Sequence, residues 1–392
     1  MILTQCPVCA APLPDLTAKQ CSRCKTRYCG RACQEQHWKE GGHDKLCKQI
    51  KRSGGAEQYN GNKKYAEAVA AAVEKCADNT KGQTCFICMQ ALHWKTKEGL
   101  VRGCSCRGTA GFAHVSCLAE QAKILFAEAE ENNLGVDTWN ERWPRWEHCS
   151  LCGQNYHGAV RCALGWACWK TYVGRPERDW PRRLAMNQLG CGLSEAGHHE
   201  DSLSVREAEL SMERRLGAPK ESILATQGNL ASSYARLKRL EEAQNLYRDV
   251  YFGQLKLYGA EDRQTLISAS NYANTLVQLQ HFEEAKALLR KAMPVARRVL
   301  GENHELTLKM RSLYAQSLYA DNGATLDNLR EAVSTLEDLE RTARRVLGCA
   351  HPTVKEIMVR LRDARATLAA REGDGVSSVC EAVAAANLRT AA

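Results

Sequence analysis

From about residue 182 onward, the pattern of apolar and polar positions repeats with a period of 42 residues. The copies at residues 228–259 and 270–301 show the pattern most clearly, and each contains two amphipathic helical stretches separated by a turn. A fourth, altered copy has a five-residue slip and ends at Leu347-Gly348. A fixed period of this length is typical of a solenoid of stacked helix pairs. The sequence therefore predicts α-α repeats over residues 182–349.

The segments before the repeats alternate between polar and helical patterns. Residues 51–62 are polar and glycine-rich and predict a linker, whereas the alanine-rich residues 63–77 predict a helix. Residues 117–133 predict a further, extended helix. Three aromatic residues that follow are spaced to lie on one helical face, which predicts core packing: Trp166, Trp169 and Tyr172.

Composition limits the class of protein. Charged residues make up 25% and apolar residues 44% of the 392 positions, which is ordinary globular usage. No stretch approaches the length of apolar sequence that a membrane span needs, so no span is expected. The first cysteine, Cys6, leaves no room before it for a secretory signal, so we expect a cytoplasmic or nuclear protein with reduced thiols.

Sixteen Cys and His residues in the first 152 positions have the spacing of metal ligands. The first set is Cys6, Cys9, Cys21, Cys24, Cys29, Cys33, His43 and Cys47. The second set is Cys85, Cys88, Cys104, Cys106, His114, Cys117, Cys149 and Cys152. Zinc prefers four thiolate or imidazole ligands in a tetrahedron, so two sets of eight predict four structural zinc ions per chain. Sites with four protein ligands leave no position open for water, which argues against metal catalysis.

The zinc prediction changes the meaning of the formal charge. Four zinc ions add eight positive charges and fourteen thiolates remove fourteen, so the net charge falls from +9 to +3. A nearly neutral protein has little long-range attraction for nucleic acid. We therefore interpret the Lys and Arg excess as compensation for anionic zinc sites, and we do not expect a nucleic-acid partner.

The first ligand set resembles the MYND zinc finger. The resemblance rests on the two Cys-x2-Cys pairs, on Tyr28-Cys29, and on the order of the remaining ligands. It implies two interleaved sites, one held by Cys6, Cys9, Cys29 and Cys33 and the other by Cys21, Cys24, His43 and Cys47. His37 is a rival ligand to His43, but the spacing of His43 to Cys47 suits a single helical turn and favours His43.

The MYND resemblance also implies a partner. The usual partner of this family is a short proline-containing peptide, added as a strand beside the zinc scaffold. Gln34 and Trp38 match the family positions associated with that groove. Four residues separate Trp38 from His43 where the family more often has two, and the Gly41-Gly42 pair can absorb the extra length as a loop.

The second ligand set resembles a RING finger of the RING-CH class. The resemblance rests on Cys85-Phe86-Ile87-Cys88, on the Cys104-x-Cys106 pair, on the run from Arg107 to His114, and on the ligand order with cysteine fourth and histidine fifth. It implies a cross-brace. Cys85, Cys88, His114 and Cys117 would hold one zinc ion, and Cys104, Cys106, Cys149 and Cys152 would hold the other.

The RING-CH resemblance implies an E3 ubiquitin ligase, which holds a ubiquitin-charged conjugating enzyme near a substrate without a covalent intermediate. The residues implied to contact that enzyme are Ile87, Trp146 and Leu151. Two departures weaken this interpretation. The interval from Cys117 to Cys149 is long, at 31 residues, and Cys152 is followed by Gly153-Gln154 where many active RING domains have arginine or lysine.

The repeats resemble tetratricopeptide repeats (TPRs) of the 42-residue kind found in kinesin light chains. The resemblance rests on Asn-Leu/Tyr-Ala in the first helix, Glu-Glu-Ala at the turn, and Leu-Gly at the end of the second helix. It implies a groove in which asparagines bond an extended peptide, with local bonds to neighbouring repeats as the alternative. These asparagines are Asn187, Asn229 and Asn271. The aligned positions predicted to be core are Tyr234, Leu276 and Leu318.

Together these patterns predict a mainly α fold, with two small binuclear zinc modules followed by a TPR-like α-α solenoid. The predicted domains are a MYND-type finger at 1–50, a linker and helix at 51–80, a RING-CH-type finger at 81–155, a connecting helix at 156–181, TPR-like repeats at 182–349, and a capping helix with a flexible tail at 350–392.

We expect a zinc-binding, modular protein-interaction protein. The leading hypothesis is a RING-CH-type E3 ubiquitin ligase that uses its MYND and TPR modules to select substrates, and the alternative is a non-enzymatic MYND/TPR adaptor. Expected partners are a ubiquitin-conjugating enzyme and proline-containing or extended peptides. The sequence has no phosphate-binding glycine loop, no His-Glu-x-x-His helix and no Gly-x-Ser-x-Gly elbow, so no catalytic residue is predicted.

Overall fold

A computed structural model describes residues 6–9, 11, 13, 18–349 and 351–390. Helices dominate this part of the chain, and the strands β1 Lys19–Gln20 and β2 Arg27–Tyr28 form a small antiparallel hairpin in which Lys19 lies opposite Tyr28. Contacts divide the chain into two compact units, residues 1–226 and 227–392. The predicted mainly α fold, with zinc modules before helical repeats, is confirmed.

The first unit is built around one central helix. Its helices are α1 Arg31–Lys39, α2 His43–Arg52, α3 Ala56–Thr80, α4 Val115–Glu131, α5 Gly135–Arg142, α6 Gly158–Tyr172, α7 Trp180–Glu195 and α8 His199–Arg215, with a 3₁₀ helix at Trp143–Trp146. The central helix is α6, because α3 and α7 pack along it and α4 also contacts it. The next helix, α9 Lys220–Arg236, spans the boundary between the two units.

Aromatic side chains fill the core around α6. The predicted core positions Trp166, Trp169 and Tyr172 are all buried, which confirms their packing role. The burial is wider than one face, because α6 is buried continuously from Val160 to Trp169. Other helices of the same unit add Phe126, Trp143, Trp146 and Trp180 to this aromatic cluster.

Two glycines allow α6 and α7 to approach each other closely. A Cβ atom at Gly165 would lie 3.0 Å from the carbonyl oxygen of Gln188, and one at Gly192 would lie 2.7 Å from that of Arg161. Each glycine therefore faces the backbone of the opposite helix, and neither position has room for a larger residue without a shift of that backbone.

The prediction of a linker over residues 51–62 is wrong for most of its length. The helix α2 continues to Arg52 and α3 begins at Ala56, so that only residues 53–55 connect them. Gly54 and Gly55, with φ of 92° and 113°, supply the break. The polar and glycine-rich remainder is helical because it packs on α6, where Gly61 faces the indole of Trp169.

The second unit contains the regular repeats. Its helices after α9 are α10 Leu240–Tyr258, α11 Arg263–Gln278, α12 Phe282–Leu300, α13 Glu305–Tyr319, α14 Leu326–Leu347 and α15 Pro352–Thr390. The second helix of each pair ends at a glycine with a left-handed φ: Gly259 at 83°, Gly301 at 94° and Gly348 at 84°. These are the Leu-Gly and Tyr-Gly positions of the sequence repeat, so its period follows the helix C-termini.

The five-residue slip in the fourth copy has a structural location. The turns before α10 and α12 each have three residues, whereas the turn before α14 spans residues 320–325. The helix α14 is also longer, with 22 residues against 19 in α12. The extra residues are therefore absorbed at the turn and in the second helix, and the pairing of helices continues.

The final helix, α15, packs mainly on α14 and also on α13. Its apolar residues Val354, Ile357, Leu361 and Ala364 are buried there, as the predicted capping helix requires. The helical backbone continues to Thr390, and the frayed structure expected for the last 20 residues stays a prediction. Residues 391–392 lie outside the described part of the chain.

Within the described residues, none of the helices combines the length and apolar character that crossing a bilayer requires.

Candidate zinc centres and partner surface

The structure brings the sixteen ligand residues together in four groups, and the donor atoms of each group lie within 4.8 Å of one another. Site 1 is Cys6, Cys9, Cys29 and Cys33, and site 2 is Cys21, Cys24, His43 and Cys47. Site 3 is Cys85, Cys88, His114 and Cys117, and site 4 is Cys104, Cys106, Cys149 and Cys152. These are the groups that the two family resemblances imply.

The distances between donor atoms fit zinc. With Zn–S bonds of about 2.3 Å, two sulfurs of a tetrahedral site lie roughly 3.8 Å apart. The Cys21 and Cys47 sulfurs are 3.8 Å apart in site 2, and the Cys106 and Cys149 sulfurs are 3.8 Å apart in site 4. Burial lowers the pKa of His43 and of His114, which favours the neutral imidazole that a metal ligand needs.

In the first module, the hairpin and two helices position the ligands. His43 is the first residue of α2, and its Nε2 atom lies 3.3 Å from the Cys24 sulfur. The rival His37 is outside the metal group. Its Nδ1 atom lies 3.0 Å from the hydroxyl of Tyr28, and its ring centroid is 4.9 Å from that of His43. His37 therefore packs over the ligand instead of replacing it.

The glycine pair between α1 and α2 allows this packing. A Cβ atom at Gly41 would overlap Cδ2 of His37, so any side chain there would displace the imidazole. Gly42 has a φ of 68°, in the left-handed region that glycine adopts without strain. The extra length relative to the family pattern is accommodated by these two residues.

In the second module, His114 is fixed by bonds on both ring nitrogens. Its Nδ1 atom lies 3.4 Å from the Cys88 sulfur and 3.6 Å from the Cys117 sulfur. Its Nε2 atom lies 3.3 Å from the carbonyl oxygen of Ala91, to which it donates when Nδ1 holds the metal. A backbone acceptor of this kind sets the tautomer and orientation of a zinc-bound histidine.

A carboxylate holds the start of α4, which carries Cys117. The backbone N–H and the hydroxyl of Ser116 both donate to the carboxylate of Glu98, at 2.7 and 2.9 Å. An anion at a helix N-terminus is stabilised by the free N–H groups there. The hydroxyl of Tyr65 on α3 lies 3.1 Å from that of Ser116, so that the zinc ligand helix is tied to the helical core.

The long interval before Cys149 is a folded insert. It contains α4, α5 and the 3₁₀ helix, which bring the Cys149 pair back to the Cys104 pair. Next to Cys149, the carboxylate of Glu147 accepts a hydrogen bond from the guanidinium of Arg161 on α6 at 2.7 Å. The helical core therefore positions the last ligand pair.

One of the three residues predicted to contact a conjugating enzyme is buried. The prediction that Trp146 contacts a conjugating enzyme is wrong, because its side chain is 1% exposed and packs on Trp143 and Tyr172. The insert turns this tryptophan inward to the aromatic cluster. Ile87 is partly buried, and Leu151 is exposed.

Exposed apolar side chains that follow Cys88 were not among the predicted contact residues. Met89 is 72% exposed, and Leu92 and Trp94 are also exposed. Met89 has a left-handed φ of 61°, and its N–H closes the zinc-binding turn on the carbonyl oxygen of Cys85 at 2.8 Å. A run of apolar residues between two ligand pairs was the available signal, but the pattern could not show which of them point outward.

The predicted peptide-binding residues differ in accessibility. On α1, Trp38 is exposed and the Gln34 side-chain amide lies 3.5 Å from the carbonyl oxygen of Gln20 on the hairpin. Asn271 is exposed and Asn229 partly exposed, so both are accessible. Asn187 is partly buried, and its Oδ1 atom accepts a hydrogen bond from the Cys191 thiol one turn later in α7, at 3.7 Å.

The aligned core positions behave as the repeat pattern indicates. Leu276 and Leu318 are buried, which confirms their predicted core role. Tyr234 is only partly buried. The guanidinium of Arg239 stacks over its ring, 4.5 Å from the ring centroid.

Comparison with protein families assigns each module. Residues 6–47 match the model of the MYND finger, residues 85–133 that of the RING-variant domain, and residues 222–298 that of the tetratricopeptide repeat. The chain combines a MYND finger, a RING-variant domain and tetratricopeptide repeats. It is thus a modular protein-interaction protein with four zinc sites. Cys149 and Cys152 lie beyond the matched RING-variant segment, and the structure brings them to site 4.

Solved structures with similarity include kinesin-light-chain TPR-like repeats of Podosopora anserina. That chain is 20% identical, and the match covers 59% of this chain and 97% of that one with a TM-score of 0.40. BtubC (BKLC) from P. vanneervenii is 13% identical over 67% of this chain and 90% of that one, with a TM-score of 0.36. Comparison with curated proteins gives no match. The repeat assignment rests on the 42-residue period and the family model.

Proposed function

We propose that this protein is a RING-type E3 ubiquitin ligase, in which the RING-variant domain binds a ubiquitin-charged conjugating enzyme. One observation carries the proposal. The two zinc sites of the RING-variant cross-brace are complete, and an apolar side chain is exposed in a zinc-binding loop of each, namely Met89 after Cys88 and Leu151 between Cys149 and Cys152. Complete sites make these loops rigid, and rigid apolar side chains suit a protein interface.

The docking surface in this proposal consists of Ile87, Met89 and Leu151. Met89 takes the place of Trp146, whose ring is buried. Each site has four protein ligands, so zinc supplies structural stability and no water is activated. Ubiquitin transfer then needs only proximity and orientation, because the conjugating enzyme carries the reactive thioester.

Substrate selection falls to the other two modules in this proposal. The MYND finger would use Gln34 and Trp38 on α1 to bind a proline-containing peptide. The repeats would use Asn229 and Asn271, which are accessible, to bind the backbone of an extended peptide. Asn187 is left out of this peptide surface because its side chain is partly buried and accepts a hydrogen bond from Cys191 in the same helix.

A ubiquitination assay with the full chain and a panel of conjugating enzymes tests the ligase proposal. We expect ubiquitin chains with the intact protein, none with Ile87→Ala, and fewer with Met89→Ala and Leu151→Ala. Leu134→Ala is the matched control, because Leu134 is exposed in the same unit but lies at the start of α5. The absence of ubiquitin chains with every enzyme, for protein that holds four zinc ions, would remove the proposal.

A non-enzymatic adaptor is the second candidate, and Gln154 is the observation that favours it. Its side chain is exposed beside site 4, where many active RING domains have a basic residue. Its carbonyl oxygen accepts the Cys149 N–H at 2.9 Å, so the loop geometry is defined by the backbone. Gln154→Arg should increase ubiquitin transfer if a conjugating enzyme docks there. An adaptor would bind peptides and show no transfer with either residue.

A further inference from the structure

The two zinc sites of the MYND finger differ in how far they are covered. All four ligands of site 2 are buried, including the imidazole of His43. In site 1 only Cys6 is buried, whereas Cys9 is exposed and Cys29 and Cys33 are partly exposed. Both sites belong to the same small finger, but the ligands of site 1 are more exposed to solvent than those of site 2.

The RING-variant sites have more protection than site 1. Three ligands of site 3 are buried, and the His114 ring is held by Ala91. In site 4 three cysteines are partly exposed, but the backbone of Gly111 covers two sulfurs. A Cβ atom there would lie 3.0 Å from the Cys106 sulfur and 3.1 Å from that of Cys104, so the glycine backbone lies against these two sulfurs and covers them on one side.

The accessible sulfurs of site 1 also lie in mutual contact. The Cys29 sulfur is 3.5 Å from that of Cys9 and 3.5 Å from that of Cys33, and the Cys33 and Cys9 sulfurs are 3.7 Å apart. Each thiolate that reacts with an oxidant therefore has two neighbouring thiolates that can attack its sulfur. Oxidant-sensitive cysteines combine thiolate character and exposure, often with a neighbouring resolving cysteine, and a cysteine that ligates zinc is a thiolate.

We propose that site 1 is an oxidation site, at which a peroxide converts two zinc-bound thiolates to a disulfide and releases the zinc ion before the other sites react. One thiolate attacks the peroxide oxygen and becomes a sulfenic acid, with hydroxide as leaving group. A neighbouring thiolate then attacks that sulfur and expels a second hydroxide. In total, two thiolates, one hydrogen peroxide and two protons give one disulfide and two waters. Zinc leaves because two of its ligands are lost.

Loss of site 1 would act on α1. This helix starts at Arg31, between Cys29 and Cys33, and it carries Gln34 and Trp38. Zinc binding contributes much of the folding free energy of a small finger. Oxidation therefore detaches the predicted peptide-binding helix of the MYND finger, while sites 3 and 4 remain intact. Oxidation of site 1 requires the bound zinc ion and its thiolates, and it does not require ligase activity.

The test uses the full chain with four zinc ions bound and limiting hydrogen peroxide. A chromogenic chelator follows zinc release, and differential alkylation with mass spectrometry identifies the oxidised cysteines. We expect a fast phase of one zinc per chain, with oxidation at Cys9, Cys29 and Cys33, and recovery of that zinc after reductant and zinc are added. Release of all four ions at one rate, or first oxidation at site 2, 3 or 4, would overturn the proposal.

Three variants sharpen the result. Cys33→His keeps four zinc ligands in site 1 but removes one of its three neighbouring accessible thiolates. The fast phase of zinc release should therefore slow. The matched control, Cys47→His in buried site 2, should leave the fast phase unchanged. Cys349 is exposed but binds no metal, so Cys349→Ser should give the same zinc release as the wild-type chain. If a histidine variant does not bind four zinc ions, the wild-type measurement decides alone.

Discussion

The guanidinium of Arg161 lies 2.7 Å from the carboxylate of Glu147, two residues before the zinc ligand Cys149. It also donates to the side chain of Gln188 on α7 at 2.6 Å and to the carbonyl oxygen of Trp146 at 3.2 Å. One buried arginine on α6 thus joins the last zinc loop, the insert and α7. The RING-variant domain is therefore continuous with the helical core of the first unit.

Replacement of this arginine tests that continuity. Arg161→Met leaves the Glu147 carboxylate and the Gln188 side chain without the guanidinium, whose side chain is only 8% exposed. The substitution removes buried, charge-assisted hydrogen bonds and leaves their acceptors unpaired. We therefore expect the free energy of unfolding of the first unit to fall by about 2–3 kcal/mol. Urea unfolding followed by tryptophan fluorescence measures this, because every tryptophan lies between Trp38 and Trp180.

The control for Arg161→Met is an exposed ion pair in the same unit. Arg31 and Glu35 are 2.7 Å apart, but their side chains are 84% and 50% exposed. Arg31→Met should therefore change the free energy of unfolding by less than about 0.5 kcal/mol. Equal effects of the two substitutions would mean that the buried arginine does not join the zinc loop to the core.

The close packing of α6 and α7 gives a second prediction. Gly192→Ala would place a Cβ atom 2.7 Å from the carbonyl oxygen of Arg161, so the backbone of one helix must move. Overpacking of this kind costs about 1–3 kcal/mol of stability. Gly174→Ala is the control, because no atom lies within 4 Å of its added Cβ. Tryptophan-monitored unfolding should shift for Gly192→Ala only, and a shift of equal size in both variants would contradict the packing argument.

The zinc groups and the repeats could be anticipated because each depends on spacing along the chain. A Cys-x2-Cys pair defines its own turn, and the 42-residue period locates the glycines at the ends of α10 and α12. These are local constraints, in which one residue type is needed for one backbone conformation. They do not depend on which distant segment packs alongside.

Burial within the insert could not be anticipated in the same way. Trp139, Trp143 and Trp146 share one short stretch, but the sequence does not show which rings meet α6 and which face a partner. Likewise, the glycine and asparagine residues near Gly61 have low helix propensity, yet packing of α3 on α6 makes them helical. In both cases tertiary contacts determine the burial or the helical conformation, and the local sequence pattern does not predict those contacts.

Zinc stoichiometry gives a third prediction, on the ligands beyond the matched RING-variant segment. Cys149→Ser removes a thiolate from site 4, so metal analysis should find about three zinc ions per chain in place of four. Sites 1 and 2 share no ligand with site 4 and should keep their zinc. Cys349→Ser is the control and should keep all four ions, because Cys349 belongs to none of the four groups. Four zinc ions in Cys149→Ser would exclude this cysteine as a ligand.

The turn between α9 and α10 gives the last prediction. Lys238 is exposed and has a left-handed φ of 62°, a conformation that costs a residue with a side chain about 1–2 kcal/mol but costs glycine little. Glycine also loses more chain entropy on folding than lysine does, which offsets part of this gain. Lys238→Gly should therefore stabilise the second unit by about 0.5–1 kcal/mol.

The matched control is Lys291→Gly. Lys291 is exposed within α12, so this substitution should destabilise the unit by about 1 kcal/mol. Circular dichroism measures both, because the second unit contains no tryptophan and its transition is absent from fluorescence. Shifts of the same sign would show that the turn is not under backbone strain.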